Sequence, residues 1–210
     1  MSPAAITAER TYKALKREVL SGRFTPGAVL SLPLLAREFG TSVSPVRDAM
    51  ARLSGERILE AHPGGGFQLP ALREKDLADL YRWHGHLLGL VLRERRPEWA
   101  IPDLTALFDA IDPADAPGIA NAADILFDRI ADGSDNAEYA TALRAAGDRL
   151  HATRVAEAVI PDRIGELKAV ATATASGSPS ATRAAIWSYQ RRRLRRIREI
   201  VAAAGGTLTV

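Results

Sequence analysis

"LPLLAREFGTSVSPVRDAMARL" (32–53) holds two short helical patterns on either side of a glycine. The first, within 32–40, stops at Gly40, a residue suited to the left-handed conformation that ends helices. In the second, 44–58, Val46, Met50 and Leu53 recur at i, i+4 and i+7 and form a buried stripe. Ser44 is placed to cap this helix. Pro45 suits its first position, where a missing N–H costs nothing. Ser44, Arg47 and Ala51 lie toward another face, with Ser42 just ahead of it and Asp48 and Arg52 flanking. That face is small, polar and cationic near the helix N-terminus. A helix entering a DNA major groove needs this combination: small residues allow close approach, and arginine donates to guanine or phosphate.

Working outward, Tyr12, Leu15, Val19 and Leu20 repeat at helical spacing over 7–20. Gly22, Pro26 and Gly27 then mark a turn across 21–31. After the second helical pattern, "ILEAHPGGGFQLPA" (58–71) sets two partly apolar stretches around Pro63-Gly64-Gly65-Gly66, which predicts a hairpin. Beyond Pro70 only helical patterns remain: 74–95, 102–110, 118–132, 137–159, 162–175 and 180–203. Pro97, Pro113, Pro117, Pro161 and "SGSP" (176–179) separate them. The expected fold is therefore mostly α. A unit of three helices and a hairpin (1–70) precedes an all-helical bundle of about six helices (71–210).

The composition fits this plan. The chain has 210 residues, of which 47% are hydrophobic and 25% charged, as in ordinary globular domains. It has no cysteine, which excludes disulfides and thiolate metal sites. No apolar run approaches the roughly 18 residues of a membrane span, and the N-terminal residues lack the layout of a secretory signal. A cytoplasmic place is expected. The net charge of +3 permits an acidic partner without selecting one. No nucleophile elbow, phosphate loop or His-Glu-x-x-His is present, so no enzymatic activity is expected. An enzyme built around Asp124, Asp128 and His151 is the least favoured reading.

Residues 20–69 resemble the winged-helix DNA-binding domain of the GntR family of bacterial transcription regulators. The resemblance rests on Gly22, Pro26-Gly27, Leu30, Leu35-Ala36, Gly40, Ser42, Pro45-Val46-Arg47, Ala49, Leu53 and the wing glycines Gly64–Gly66. It implies DNA contacts at Ser42, Val43, Ser44 and Arg47, with His62, Gly64 and Gly65 on the wing near the minor groove. It also implies a dimer on a near-palindromic operator, on the nucleoid. Val43 departs from the family, which usually carries arginine there. Valine donates no hydrogen bond but can pack on a thymine methyl, so altered or weaker base preference is expected. Pro33 stands near another position that is polar in many relatives. The alternative function is a metabolite-binding or interaction protein of the same fold with weakened DNA binding.

A GntR-like head followed by a helical bundle is similar to the FadR-type subgroup, whose bundle binds a small organic acid and carries dimer contacts, and often holds a divalent metal on one Asp and three His. Asp124 matches the first metal ligand. Asp128, Leu167-Lys168 and Ser188-Tyr189 stand where histidines would be, so no metal cofactor is expected. His84 and His86 are two residues apart, on different sides of one helix. The weakly specified effector pocket comprises Tyr81, His84, Leu88, Asp124, Phe127, Asp128, Arg144, His151 and Trp187. "RRRLRRIR" (191–198) reads as an amphipathic last helix with Leu194, Ile197 and Val201 inward and its arginines in solvent; an arginine turned inward at an anionic effector is the alternative.

Overall fold

The computed structural model describes residues 3–96 and 98–206; Pro97, read above as a helix breaker, lies outside them. The described chain divides into two units at Leu72–Arg73.

In the first unit, α1 (Pro3–Leu20) packs against α3 (Val43–Gly55), and α2 (Leu32–Glu38) packs beside α3. Tyr12, Leu15 and Val19 of α1 meet Leu35 and Ala36 of α2 and Val46, Ala49, Met50 and Leu53 of α3 in one apolar core. The α2–α3 turn has the expected chemistry. Gly40 lies at φ 60°, Thr41 N–H donates to Ala36 O at 2.9 Å, and Gly40 N–H donates to Arg37 O at 3.2 Å. Those two bonds satisfy the carbonyls at the end of α2.

The hairpin of β2 (Glu60–Ala61) and β3 (Phe67–Gln68) has a third member that the sequence does not announce. Strand β1 (Val29–Leu30) lies antiparallel on the far side of β3, pairing Val29 with Gln68 and Leu30 with Phe67. Two residues are too few to show alternation. The turn that delivers them is nevertheless legible. Ala28 N–H donates to Thr25 O, with Pro26 at the first central position and Gly27 at φ 80° in the second, a type II turn.

One boundary moves. Helix α3 begins at Val43, so Ser42 is the residue before it and Ser44 lies within the first turn instead of capping it. Pro45 is then the third helical residue, still within the turn whose N–H groups have no helical acceptor.

The second unit holds seven α-helices among its described residues: α4 (Glu74–Arg93), α5 (Thr105–Asp109), α6 (Ala116–Asp132), α7 (Ala137–Ala156), α8 (Arg163–Ala175), α9 (Pro179–Arg195) and α10 (Ile197–Ala203). A 3-10 turn, Glu157–Val159, follows α7. Side chains cap four of the helices: Asp115 accepts from Gly118 N–H, Asn136 from Glu138 and Tyr139, Asp162 from Gly165, and Ser178 from Ala181. The segment expected as one helix over 180–203 breaks at Arg196. Neither glycine nor proline marks this break. Arg196 N–H donates to Arg193 O, and its guanidinium donates to Val159 O at 3.0 Å.

Arg57, just past α3, adopts φ 60° without being glycine. A side chain there costs about 1–2 kcal/mol, partly offset by its lower freedom in the unfolded chain. Arg57→Gly is expected to stabilise the first unit by about 0.5–1 kcal/mol. Slower amide exchange in α3 and β2 is the measurement.

Candidate functional site

Helix α3 sorts its residues between core and solvent. Val46, Ala49, Met50 and Leu53 are buried, while Ser42, Ser44, Arg47 and Asp48 are exposed. Its two arginines differ. Arg52 is held by Glu9 at 2.9 Å and Glu56 at 3.5 Å, with its guanidinium 3.5 Å from the centre of the Tyr12 ring. Arg47 has no ion-pair or hydrogen-bond partner among the described residues. The exposed N-terminal face of α3 thus offers one uncommitted guanidinium, two hydroxyls and the end of the helix, where N–H groups favour anions. Val43 is half-buried and packs against the apolar core, so part of its side chain supports α3.

His62 lies at the base of the glycine turn. Its Nδ1 accepts from Gly64 N–H at 3.1 Å, and Gly65 N–H donates to its carbonyl at 2.8 Å. Gly64 and Gly65 are exposed at the tip. The structure therefore brings His62, Gly64 and Gly65 together on one loop, and Ser42, Ser44 and Arg47 together on one helix end. Of the chain's 28 basic and 25 acidic residues, nine and six lie in residues 1–72, so this unit carries the whole net charge of +3.

The sequence-predicted pocket of the bundle separates into two groups. Tyr81, His84, Leu88 and Phe127 are buried, with Asp124 and His151 half-buried beside them. Asp128 and Trp187 face outward. Arg144 is turned away with them, paired with Asp132 and 3.9 Å from Asp128. Likewise His84 is buried and His86 exposed, as opposite sides of α4 require.

Two residues missed in the sequence organise the inner group. Arg154 is 1% exposed and Arg193 is 1% exposed. Arg154 pairs through Nη1 with Asp124 Oδ1, approaches His84 Nε2 with Nη2 at 3.2 Å, and lies 5.1 Å from the Phe127 ring centre. His151 Nδ1 pairs with the other Asp124 oxygen. Arg193 donates from Nη2 to Glu157 at 2.8 Å and from Nη1 to Glu166 at 2.9 Å, and stacks 3.4 Å over the Tyr189 ring. Tyr81 donates its hydroxyl to Glu157 at 2.5 Å. The reading of 191–198 is thus corrected in two respects: Leu194 and Ile197, expected inward, are half-exposed, and one arginine is not in solvent. Arg193 faces inward, and its anionic partners are the protein's own carboxylates.

These surroundings set the charge states. Burial disfavours the Arg154 cation, yet Tyr189, Asp124 and Glu157 around it hold it above the ordinary arginine value. Burial, then the charges of Arg154 and Arg193, push the His84 imidazole well below its usual range. His84 is therefore neutral, and Nε2 facing Arg154 must accept. Its proton sits on Nδ1, 3.3 Å from the Gln190 amide. The Gln190 amide nitrogen is the atom nearest that proton, and Gln190 Oε1 is buried without a donor; turning the amide over lets Oε1 accept from Nδ1–H and satisfies both. Arg154 Nε and the Tyr189 hydroxyl remain buried without a hydrogen-bond acceptor or donor of normal geometry.

Comparison with known proteins gives a concordant picture for the first unit. Residues 7–69 match the model of "Bacterial regulatory proteins, gntR family". Over 71 residues the chain is 37% identical to the HTH-type transcriptional regulator YdhC of Bacillus subtilis (strain 168), covering 34% of this chain and 32% of that protein. Over 98 residues it is 26% identical to the HTH-type transcriptional repressor GlaR of Escherichia coli (strain K12), covering 45% of this chain and 44% of that protein. The chain thus matches less than half the length of either relative. The solved structure of E. coli McbR/YncC resembles it in fold with a TM-score of 0.71 at 17% identity, over 91% of this chain and 97% of that one.

The depressed His84 value fixes a pH dependence. Unfolding lets the ring take up a proton that the fold excludes, so stability is present above about pH 6.5 and declines as pH falls below it. The expected slope is about 1.4 kcal/mol per pH unit from this group. His84→Gln keeps an acceptor for Arg154 and removes the titration. Urea midpoints of the two proteins between pH 7 and 5 should diverge accordingly.

Proposed function

From a first unit with the gntR-type winged helix-turn-helix fold, we propose that this protein is a DNA-binding transcription regulator whose α3 enters the major groove of an operator. The observation that carries this reading is the exposed N-terminal face of α3: Ser42, Ser44 and an Arg47 left without a partner, in the unit that holds all of the chain's net charge. Arg47 supplies a bidentate donor to guanine or a phosphate clamp, and the serines allow close approach. The turn at His62, Gly64 and Gly65 follows the adjacent backbone near the minor groove. Val43 adds apolar contact at the tip while its other side supports the core.

The bundle belongs, in this reading, to the FadR-type subgroup and serves as effector-binding and dimerisation unit, residues 71–210 beside a DNA-binding unit of 1–70. Two chains place two α3 helices on the half-sites of a near-palindromic operator. The exposed Trp83 on α4 and Trp187 on α9 support a protein contact on that pair of packed helices. A small acid with acceptor oxygens suits the unpaired Arg154 Nε and Tyr189 hydroxyl at the bundle centre. Such an effector shifts DNA affinity by binding two states of the protein unequally. Repression in the cytoplasm is the simplest output of that arrangement.

Electrophoretic shift and footprinting on DNA upstream of the protein's own gene test the reading. Binding should weaken as salt rises, because phosphate contacts release counterions. Arg47→Ala should lower affinity by about 5–150-fold, the equivalent of about 1–3 kcal/mol. Val43→Arg should change the preferred base at one operator position within each half-site and leave the salt slope nearly unchanged, or steepen it by about one if the new arginine takes a phosphate. Absence of binding by wild type would overturn the proposal, and binding by Val43→Arg alone would decide for a protein of the same fold with weakened DNA binding.

A further inference from the structure

The first-ligand residue of the metal site that the resemblance implies, Asp124, is present, but the side chains around it do not fit a divalent ion. Among the described residues, no three His, Asp or Glu side chains converge as a metal site. Asp124 offers Oδ1 to Arg154 and Oδ2 to His151, so both oxygens are engaged. The His84 nitrogen nearest to that pair, Nε2, is engaged by Arg154 Nη2. The other positions where histidines would stand do not supply donors. Asp128 turns to solvent near Arg144, Leu167 is core, and Lys168 pairs with Asp109. Tyr189, at the last of these positions, is buried, with the Arg193 cation and then the Arg154 cation opposing the upward push that burial gives its hydroxyl.

Asp124, His84 and Tyr189 therefore surround a guanidinium instead of an ion. We propose that Arg154 occupies the place of the divalent metal, and that the bundle takes its central cation from its own chain. The charge is permanent, because arginine does not deprotonate in proteins. It is planar, so its Nη1 and Nη2 edges serve Asp124 and His84 while Phe127 lies near its carbon atom. A metal entering this space would meet a fixed positive charge and donors already engaged. The consequence is a bundle that neither binds divalent metal nor loses stability to a chelator. This inference rests on the FadR-type reading of the bundle and not on DNA binding, so its test involves no DNA.

The experiment uses the full chain. Protein produced in medium supplemented with zinc, nickel and manganese is analysed for metal, and its thermal midpoint is followed with each ion and with EDTA. The expected result is no stoichiometric metal and no shift with either treatment. About one equivalent of tightly held metal, or a midpoint that rises with an ion and falls with EDTA, overturns the proposal. The same titration is run on Arg154→Ala, which frees Asp124 and His84 and leaves a space between them. Zinc should raise the midpoint of this variant saturably while leaving wild type unmoved. A folded Arg154→Ala that ignores all three ions overturns the claim that the guanidinium stands where an ion would. If Arg154→Ala does not fold alone, refolding with zinc present is the readout, and failure with every ion counts against the claim equally. Arg154→Lys, which keeps the charge, should remain insensitive to metal; a saturable rise there also overturns the proposal.

Discussion

Two guanidinium groups buried in a small helical bundle constrain everything around them. A charge taken out of water is tolerated only when paired and hydrogen-bonded, and stranding one by removing its partner costs about 3–5 kcal/mol. Arg154 and Arg193 have side chains that are 1% and 2% exposed. Their partners come from different elements: Asp124 from α6, His84 from α4, Glu157 from the 3-10 turn and Glu166 from α8. Five helices and a turn must therefore hold one mutual register. Buried ion pairs of this kind add little net stability over an apolar core, but they disfavour alternative packings that would separate the partners.

The apolar shell makes that register physically reachable. Helix α6 turns Ala122, Ala123, Leu126, Phe127, Ile130 and Ala131 inward, and the small residues allow α7 to approach closely. Phe127 then connects shell and centre. Its ring meets His84 edge-on at 4.8 Å and Tyr189 edge-on at 5.2 Å, and faces the Arg154 cation. Aromatic edges and faces of opposite polarity thus grade the core from hydrocarbon to charge. Arg163 closes the arrangement by donating to the carbonyl of Arg154, so the segment carrying one buried cation is anchored by another.

This division explains what the sequence reveals. The first unit was legible because its elements carry local signals: Pro26-Gly27 for a type II turn, Gly40 for a helix end, Val46, Met50 and Leu53 for a buried stripe. Its one hidden element, β1, is two residues long and exists only through pairing with β3. In the bundle, prolines and caps exposed the helices, whereas the polar centre stayed hidden. Arginine is nearly always at the surface, so sequence alone gives no reason to turn Arg154 or Arg193 inward. The stripe read in 191–198 placed Leu194 and Ile197 inside, yet both are half-exposed while Arg193, Ile200 and Val201 are buried. Arg196 interrupts the helix with no proline or glycine, because the cause is a distant acceptor, Val159 O. Asp124, His84 and His151 were recognised as candidates, but the cation that unites two of them lies 30 residues from Asp124 and 70 from His84.

The two units use arginine in opposite ways, and that contrast bears on function. The bundle contains equal numbers of basic and acidic residues and turns its most buried cations onto its own carboxylates. The first unit also ties several arginines internally, Arg23 to Glu18 and Glu38, and Arg52 to Glu9 and Glu56. Arg47 is different: it stands exposed on the first turns of α3, beside two serines, with its donors unused. A paired arginine offers an external anion little, since its donors are already bound and its field is offset by a neighbouring carboxylate. An unpaired one next to a helix N-terminus offers both hydrogen bonds and an uncompensated field. The pairing that silences charge in the bundle is therefore absent at the tip of α3, where a guanidinium, two hydroxyls and a helix N-terminus stand together.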